Sequence, residues 1–249
     1  EFIFGPPGTG KTTHLAQKVI IPLMQAEEDY KVLVLAPTNK AADIVVKRLI
    51  ESGRSCIEWL VRFGTSSDEF EEVVSVYKKK TFDIRTMIRN VVVTTIARFP
   101  YYSFTPGDHS QINLKDIEWD FIVFDESSMI PLINVIYPLF KGKPKKFIVA
   151  GDPFQIQPIV TVDAWKNENI YSMVCLNSFS NPQTRPHPYH VELLTTEFRS
   201  VPSVGSIYSN LTYGGILNHF RSEVSKKELF IHDTFRVSSL NIIKFPVTE

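Results

Sequence analysis

Residues 1–20 read EFIFGPPGTGKTTHLAQKVI: an apolar run enters a glycine-rich loop and leaves it as a helical pattern. Gly5, Gly10, Lys11 and Thr12 stand at the spacing G-x-x-x-x-G-K-[ST]. The chemistry asks for these residue types. Glycines let backbone N–H groups turn inward around phosphate oxygens, and the following helix offers its N-terminus to the same anion. The Lys11 ammonium can lie against β- and γ-phosphates, and the Thr12 hydroxyl can ligate Mg²⁺. The stretch Gly5, Pro6, Pro7, Gly8, Thr9, Gly10, Lys11, Thr12 and Thr13 is therefore expected to hold a nucleoside triphosphate with magnesium.

Outward from this loop, apolar runs rich in Val and Ile recur at 31–36 (KVLVLA), 91–95 (VVVTT), 120–125 (DFIVFD), 146–151 (KFIVAG) and 190–194 (HVELL). They lack clean alternation, which suits strands covered on both faces of a parallel sheet. The helical patterns KTTHLAQKVIIPLMQ and NKAADIVVKRLIES follow the first two strands, with Asn39 a possible N-cap of the second helix. Such alternation predicts an α/β fold, a mainly parallel sheet flanked by helices. Residues 56–90 fit less well. They carry the charged segment SSDEFEEVVSVYKKK and are expected to form a helical insertion on one face. Residues 100–111 are turn-rich, and 177–190, with three prolines, are the best linker candidate.

Composition narrows the class further. The 249 residues are 43% hydrophobic, ample for a buried core, and 27 basic residues balance 27 acidic ones. A neutral total argues against a strongly basic coat but leaves room for a local basic groove. Cys56 and Cys175 stand apart without metal spacing and read as reduced thiols. No apolar run approaches the roughly 20 residues of a membrane span, and the start lacks the features of a signal peptide. A cytoplasmic protein, or a nuclear one in a eukaryote, is expected.

A second acidic site follows the strand at 120–125. Asp125 and Glu126 stand at its C-terminal end, the side on which parallel sheets open their ligand crevice. Asp125 is expected to hold Mg²⁺ with Thr12, and Glu126 to orient and deprotonate an attacking water.

The segments APTNKAA (36–42), VVTTIARF (92–99), DESS (125–128), GDPFQIQP (151–158) and LLTTEFRS (193–200) complete an ordered set with the phosphate loop. This set resembles superfamily 1 helicases, particularly the branch of the nonsense-mediated-decay helicase and its relatives. The resemblance implies a RecA-like P-loop domain that binds ATP and Mg²⁺. It implies that Lys11, Asp125, Glu126, Gln155 and Arg199 are the catalytic set. Gln155 would sense the γ-phosphate, and Arg199 would come from a second RecA-like domain. Pro37, Thr38, Asn39, Thr94 and Thr95 would touch the backbone of single-stranded DNA or RNA, consistent with contacts that read no sequence. Capping of a helix by Thr38 or Asn39 is compatible with that role.

The same resemblance implies a RecA-like domain 1 over 1–191 and the truncated beginning of domain 2 over 192–249, with later motifs absent. The expected activity is that of a monomeric helicase or translocase, and the chain by itself is expected to bind nucleotide weakly and turn it over slowly. The alternatives are a P-loop ATPase of AAA+ type, which shares GPPGTGKT but calls for an asparagine sensor in the strand after DE, and a nucleotide-gated binding module without translocation. Smaller features read blandly. RFPYYSF (98–104) is expected to pack rather than stack on bases, YKKK (77–80) and KGKPKK (141–146) to be solvated, and His14 to pack or face solvent.

Overall fold

The computed structural model describes residues 1–65, 71–105, 111–160, 162, 165, 168–176, 189–222, 229–232 and 235–237. The chain divides into two compact units, Glu1–Gly5 with Gly10–Leu194, and Pro6–Thr9 with Thr195–Glu249. The first unit holds strands β1 (Phe2–Phe4), β2 (Lys31–Ala36), β3 (Leu60–Arg62), β4 (Asn90–Thr95), the short hairpin β5 (Ser103–Phe104) and β6 (Ile112–Asn113), then β7 (Phe121–Phe124), β8 (Lys146–Gly151) and β9 (Val191–Leu193). Seven of these form one sheet in the order β3-β4-β2-β7-β8-β1-β9, and every neighbouring pair is parallel. Its central strands are buried on both faces: Val32 to Ala36, Val91 to Val93 and Ile122 to Phe124 are all 0% exposed. That explains the missing alternation in the sequence.

The first crossover runs through α1 (Lys11–His14), a π-helical segment (Leu15–Ile20) and α2 (Ile21–Ala26) without a break. Pro22 gives the reason for the wide turn. A proline ring clashes with the carbonyl four residues back, and here the Ile21 N–H bonds Ala16, five residues back. The second crossover is α3 (Asn39–Ser52), whose N-cap is Thr38 rather than Asn39: the Thr38 hydroxyl accepts the Ala41 N–H at 3.1 Å. Its buried face, Ala42, Val45, Val46, Leu49 and Ile50, follows helical spacing against the sheet. Each of the four branched side chains contributes roughly 1.5–3 kcal/mol by leaving water.

The 56–90 stretch departs from a helical insertion. It contains a 3₁₀ turn (Arg54–Glu58), strand β3 and α4 (Glu71–Val76). β3 pairs in parallel with β4 and forms an edge of the main sheet. Three residues ending in an arginine give too short and too polar a pattern to read as a strand, and pairing with Val91–Val93 decides it. α5 (Leu132–Gly142) and α6 (Ile170–Met173) complete the helices of this unit. β9 pairs with β1, so the first unit extends to Leu194, beyond the boundary expected at 191. Most of the linker candidate at 177–190, the run at 241–247 and parts of the 56–90 and 100–111 stretches lie outside the described residues.

In the second unit β10 (Thr196–Glu197) leads through α7 (Pro202–Thr212) to β11 (Asn218–His219), which pairs with β10 in parallel. Pro202 occupies the first helical turn, where its missing N–H costs nothing. This is one β-α-β crossover.

Candidate nucleotide site and strand-facing edge

The phosphate loop leaves β1 at Gly5, whose N–H bonds the Gly151 carbonyl at 3.1 Å and ties the loop to the end of β8. Gly10, with φ 79°, is the N-cap of α1, a left-handed conformation that glycine adopts without the cost a Cβ imposes. Lys11 is buried and folds back on the loop, donating from Nζ to the Gly5 carbonyl at 2.8 Å. The same ammonium lies 3.7 Å from Glu126 Oε1. Thr12 donates its hydroxyl to Asp125 Oδ2 at 2.9 Å, across 113 residues of sequence. Thus Lys11, Thr12, Asp125 and Glu126 converge as the spacing of the two motifs implies.

The electrostatics of this cluster are unbalanced. Asp125 is 1% exposed. Burial, and then the neighbouring Glu126 carboxylate, push its carboxyl up to about 6, against the Thr12 hydrogen bond and the Lys11 charge. Glu126 has φ 49°, a left-handed backbone that costs a non-glycine residue about 1–2 kcal/mol. Its Oε2 is buried without a hydrogen-bond partner. A strained, unsatisfied carboxylate beside a buried one marks a place built to receive further groups.

Magnesium fits here. Among the described residues no group of three or more His, Cys, Asp or Glu is placed to hold a metal ion. Mg²⁺, however, commonly takes only one or two protein oxygens and keeps waters and phosphates for the rest. The Thr12 hydroxyl and the Asp125 carboxylate are such hard donors, already in contact, and a divalent cation would offset the burial and the Glu126 charge that raise the Asp125 carboxyl.

Supports surround the pair. Ser127 donates its hydroxyl to the Ala150 carbonyl at 2.8 Å and lies 2.6 Å from the Tyr171 hydroxyl, whose titration burial pushes up. Asp152 is fully buried, accepting from the Phe154 N–H at 3.0 Å and from Gln155 Nε2 at 2.9 Å. Gln155 is thereby oriented by the turn that follows β8. His14 is neither packed nor solvated alone: its Nε2 lies 3.0 Å from Glu192 Oε2 on β9.

Further along the same C-terminal edge stand the residues expected to face nucleic acid. Thr38 is exposed, and Pro37 and Asn39 are half-buried, just past β2. Thr94 and Thr95 differ. Both are buried, at 0% and 6% exposure, and the Thr94 hydroxyl has no partner. The Thr95 carbonyl instead accepts the N–H groups of Arg98 and Phe99, anchoring the turn after β4. The hydroxyls of Thr94 and Thr95 lie beneath the surface of this edge.

Arg62 belongs to this edge although none of the motifs contains it. It is 0% exposed and donates from Nε to buried Asp43 at 2.8 Å, from Nη2 to Asn39 Oδ1 at 3.2 Å and to the Thr65 carbonyl at 3.1 Å, and from Nη1 to the Phe63 carbonyl. Asn39 is thus held by an arginine from β3. The only available signal was a lone arginine inside an apolar triplet, which calls for a buried acid somewhere.

In the second unit, buried Glu197 accepts the N–H groups of Arg199 and Ser200 at 2.6 and 2.7 Å. The Gly8 carbonyl accepts the Phe198 N–H at 2.9 Å. A Cβ at Gly8 would come within 2.2 Å of Glu197 Oε1, so no larger residue fits there. Arg199 is described within this unit.

The parallel sheet and the glycine-rich loop after its strand β1 are those of the P-loop class. The chain belongs to the AAA domain family, whose model matches residues 1–161, and its ordered motifs and relatives place it among superfamily 1 helicases. It is similar to the DNA replication ATP-dependent helicase/nuclease dna2 of Schizosaccharomyces pombe, 27% identical over 238 residues that cover 93% of this chain and 15% of that protein. It is also similar to the RNA helicase Mov10l1 of Homo sapiens, 30% identical over 165 residues that cover 64% of this chain and 13% of that one. The chain therefore spans about 15% or less of the length of these two relatives. Among solved structures it is similar to arterivirus nonstructural protein 10 (helicase) in complex with DNA, with TM-score 0.54 and 15% identity over 91% of this chain and 42% of that one. That likeness establishes the RecA-like fold.

Proposed function

We propose that the protein is an ATP-dependent helicase or translocase that couples ATP hydrolysis to movement on single-stranded DNA or RNA. The observation that carries this reading is the convergence of Lys11, Thr12, Asp125 and Glu126 at the C-terminal edge of the sheet. Lys11 holds the β- and γ-phosphates, and the loop from Gly5 to Thr13 supplies backbone donors around them. Thr12 and Asp125 would hold Mg²⁺, which neutralises phosphate charge when bound. Glu126 accepts the proton of the attacking water, for which its free Oε2 is available. Gln155, steadied by Asp152, senses the γ-phosphate. Arg199 supplies the guanidinium that stabilises charge growing on the transferred phosphoryl group.

Pro37, Thr38, Asn39, Thr94 and Thr95 contact the strand backbone, the last two through the turn that Thr95 anchors. The second unit, with its β-α-β crossover, is the start of a second RecA-like domain. The motor acts as a monomer, in the cytoplasm or, in a eukaryote, the nucleus. Among the described residues no helix is long and apolar enough to cross a membrane. An AAA+ machine calls for an asparagine in the strand after DE, and β8 reads KFIVAG. The test is ATP turnover with and without single-stranded DNA or RNA, beside Glu126→Gln. Stimulation by a strand, lost in the variant, supports the motor. Turnover indifferent to both polymers sinks it and leaves a different P-loop ATPase.

A further inference from the structure

The turn after β4 carries four aromatic residues, and the structure separates them. Phe99, Tyr102 and Phe104 are buried, at 0%, 6% and 0% exposure, whereas Tyr101 is 85% exposed. The three buried rings fill the core as the sequence suggests. Tyr101 instead forms one wall of a cavity of about 300 Å³, with Ile96, Pro100, Lys115, Asn134 and Tyr137 around it. This is the small end of the range for ligand pockets, enough for a flat ring and too little for a helix or strand of a partner. Its lining mixes two phenol rings with an amide and an ammonium, and no carboxylate.

The place of the cavity is as telling as its lining. Ile96 directly follows Thr95, and its N–H bonds the Ala36 carbonyl at 2.9 Å, at the end of β2 that leads to Pro37, Thr38 and Asn39. The cavity therefore adjoins the edge assigned above to the strand backbone. Two cations stand at or near the cavity. Lys115 lines the cavity, and Arg98, whose carbonyl accepts the Tyr101 N–H at 3.0 Å, projects its guanidinium to the Thr65 hydroxyl. Among the described residues neither cation is paired with a carboxylate.

We infer that this cavity takes one unpaired nucleobase of the bound strand, stacked on Tyr101, with Lys115 against the adjoining phosphate. The inference rests on the strand-binding reading and adds a base contact to a surface otherwise made of backbone contacts. Every base presents a π-face, so stacking tolerates any sequence, as a translocating motor requires. Asn134 can meet the polar edge of whichever base enters.

The experiment is equilibrium binding of a fluorescent single-stranded oligonucleotide to the wild type, Tyr101→Ala, Tyr101→Phe and Lys115→Gln, repeated with a strand of abasic residues. Tyr101→Ala is expected to weaken binding to the normal strand by about five- to a hundred-fold, the range for one stacked base, and Tyr101→Phe to bind like the wild type. On the abasic strand the difference between wild type and Tyr101→Ala should vanish. Lys115→Gln should reduce the slope of log affinity against log salt by about 1. Wild-type binding to the normal strand with Tyr101→Ala unchanged would overturn the inference alone and leave the face to a protein partner. A wild type that binds no strand at all would overturn the strand reading with it. Because Tyr101 is exposed, its variants test binding rather than folding.

Discussion

Where β7 ends, Asp125 is buried with its carboxyl pushed up to about 6, Glu126 sits in a left-handed backbone, and one of its oxygens has no partner. Where β3 ends, Arg62 is buried as deeply, yet each of its guanidinium nitrogens donates to an acceptor, first among them Asp43. Both places lie at the C-terminal edge of one sheet. Burial acts on both in the same direction, against the charged form: it raises Asp125 and lowers Arg62, where Asp43 opposes it. The difference lies in satisfaction. Arg62 and Asp43 form a closed polar network, which holds α3, Asn39 and the Thr65 loop in fixed relation. The Asp125 cluster is open: Glu126 Oε2 has no hydrogen-bond partner among the described residues.

The sharpest way to break this comparison is chemical. Glu126→Gln keeps the size of the side chain and removes the base, and ATP turnover should fall by about 10²- to 10⁴-fold, measured as phosphate release. If turnover survives, the open cluster is not catalytic. Next in size is the closed network. Arg62→Met removes the guanidinium that buried Asp43 faces and should cost about 3–5 kcal/mol in denaturant unfolding, while Arg62→Met with Asp43→Leu should recover most of it. Equal losses in the single and double variants would show that the pair is not the unit.

The open cluster predicts the opposite sign. The Asp125 carboxyl titrates near 6 when folded and near 3.9 when unfolded. Between those values the folded protein binds more protons, so stability without ligand falls as pH rises through about 4 to 6 and then levels. Asp125→Asn should remove that slope and raise stability at pH 7 by on the order of 2 kcal/mol, while abolishing turnover. Melting temperature against pH for both proteins decides it; parallel curves would rule it out. The smallest effect belongs to Thr38. Thr38→Ala removes the α3 cap and should cost about 1 kcal/mol of stability. Strand binding that weakens by more than this loss of order explains would add direct contact to its capping role.

The phosphate loop and the acidic pair were legible because each is local: a fixed spacing of glycines, lysine and threonine, and two carboxylates after a buried strand. The parallel sheet was legible too, since strands covered on both faces cannot alternate. Other features were not. β3 is three residues long and ends in an arginine, and only its ladder with β4 makes it a strand. Asp43 precedes Arg62 by 19 residues, inside an amphipathic helix where an acid ordinarily faces water. Tyr101 reads like its aromatic neighbours until their burial sets it apart.

By itself, then, the sequence determined the class of fold, the glycine-rich loop and the acidic pair at the end of β7, because local backbone geometry and burial leave a periodic or motif-sized trace. Tertiary structure decided which distant groups meet. Parallel strands bring the ends of β1, β7 and β8 to one edge, which sets Thr12 2.9 Å from Asp125 across 113 residues. It also decided which of those groups are satisfied. That depends on partners in space, and no spacing along the chain records it.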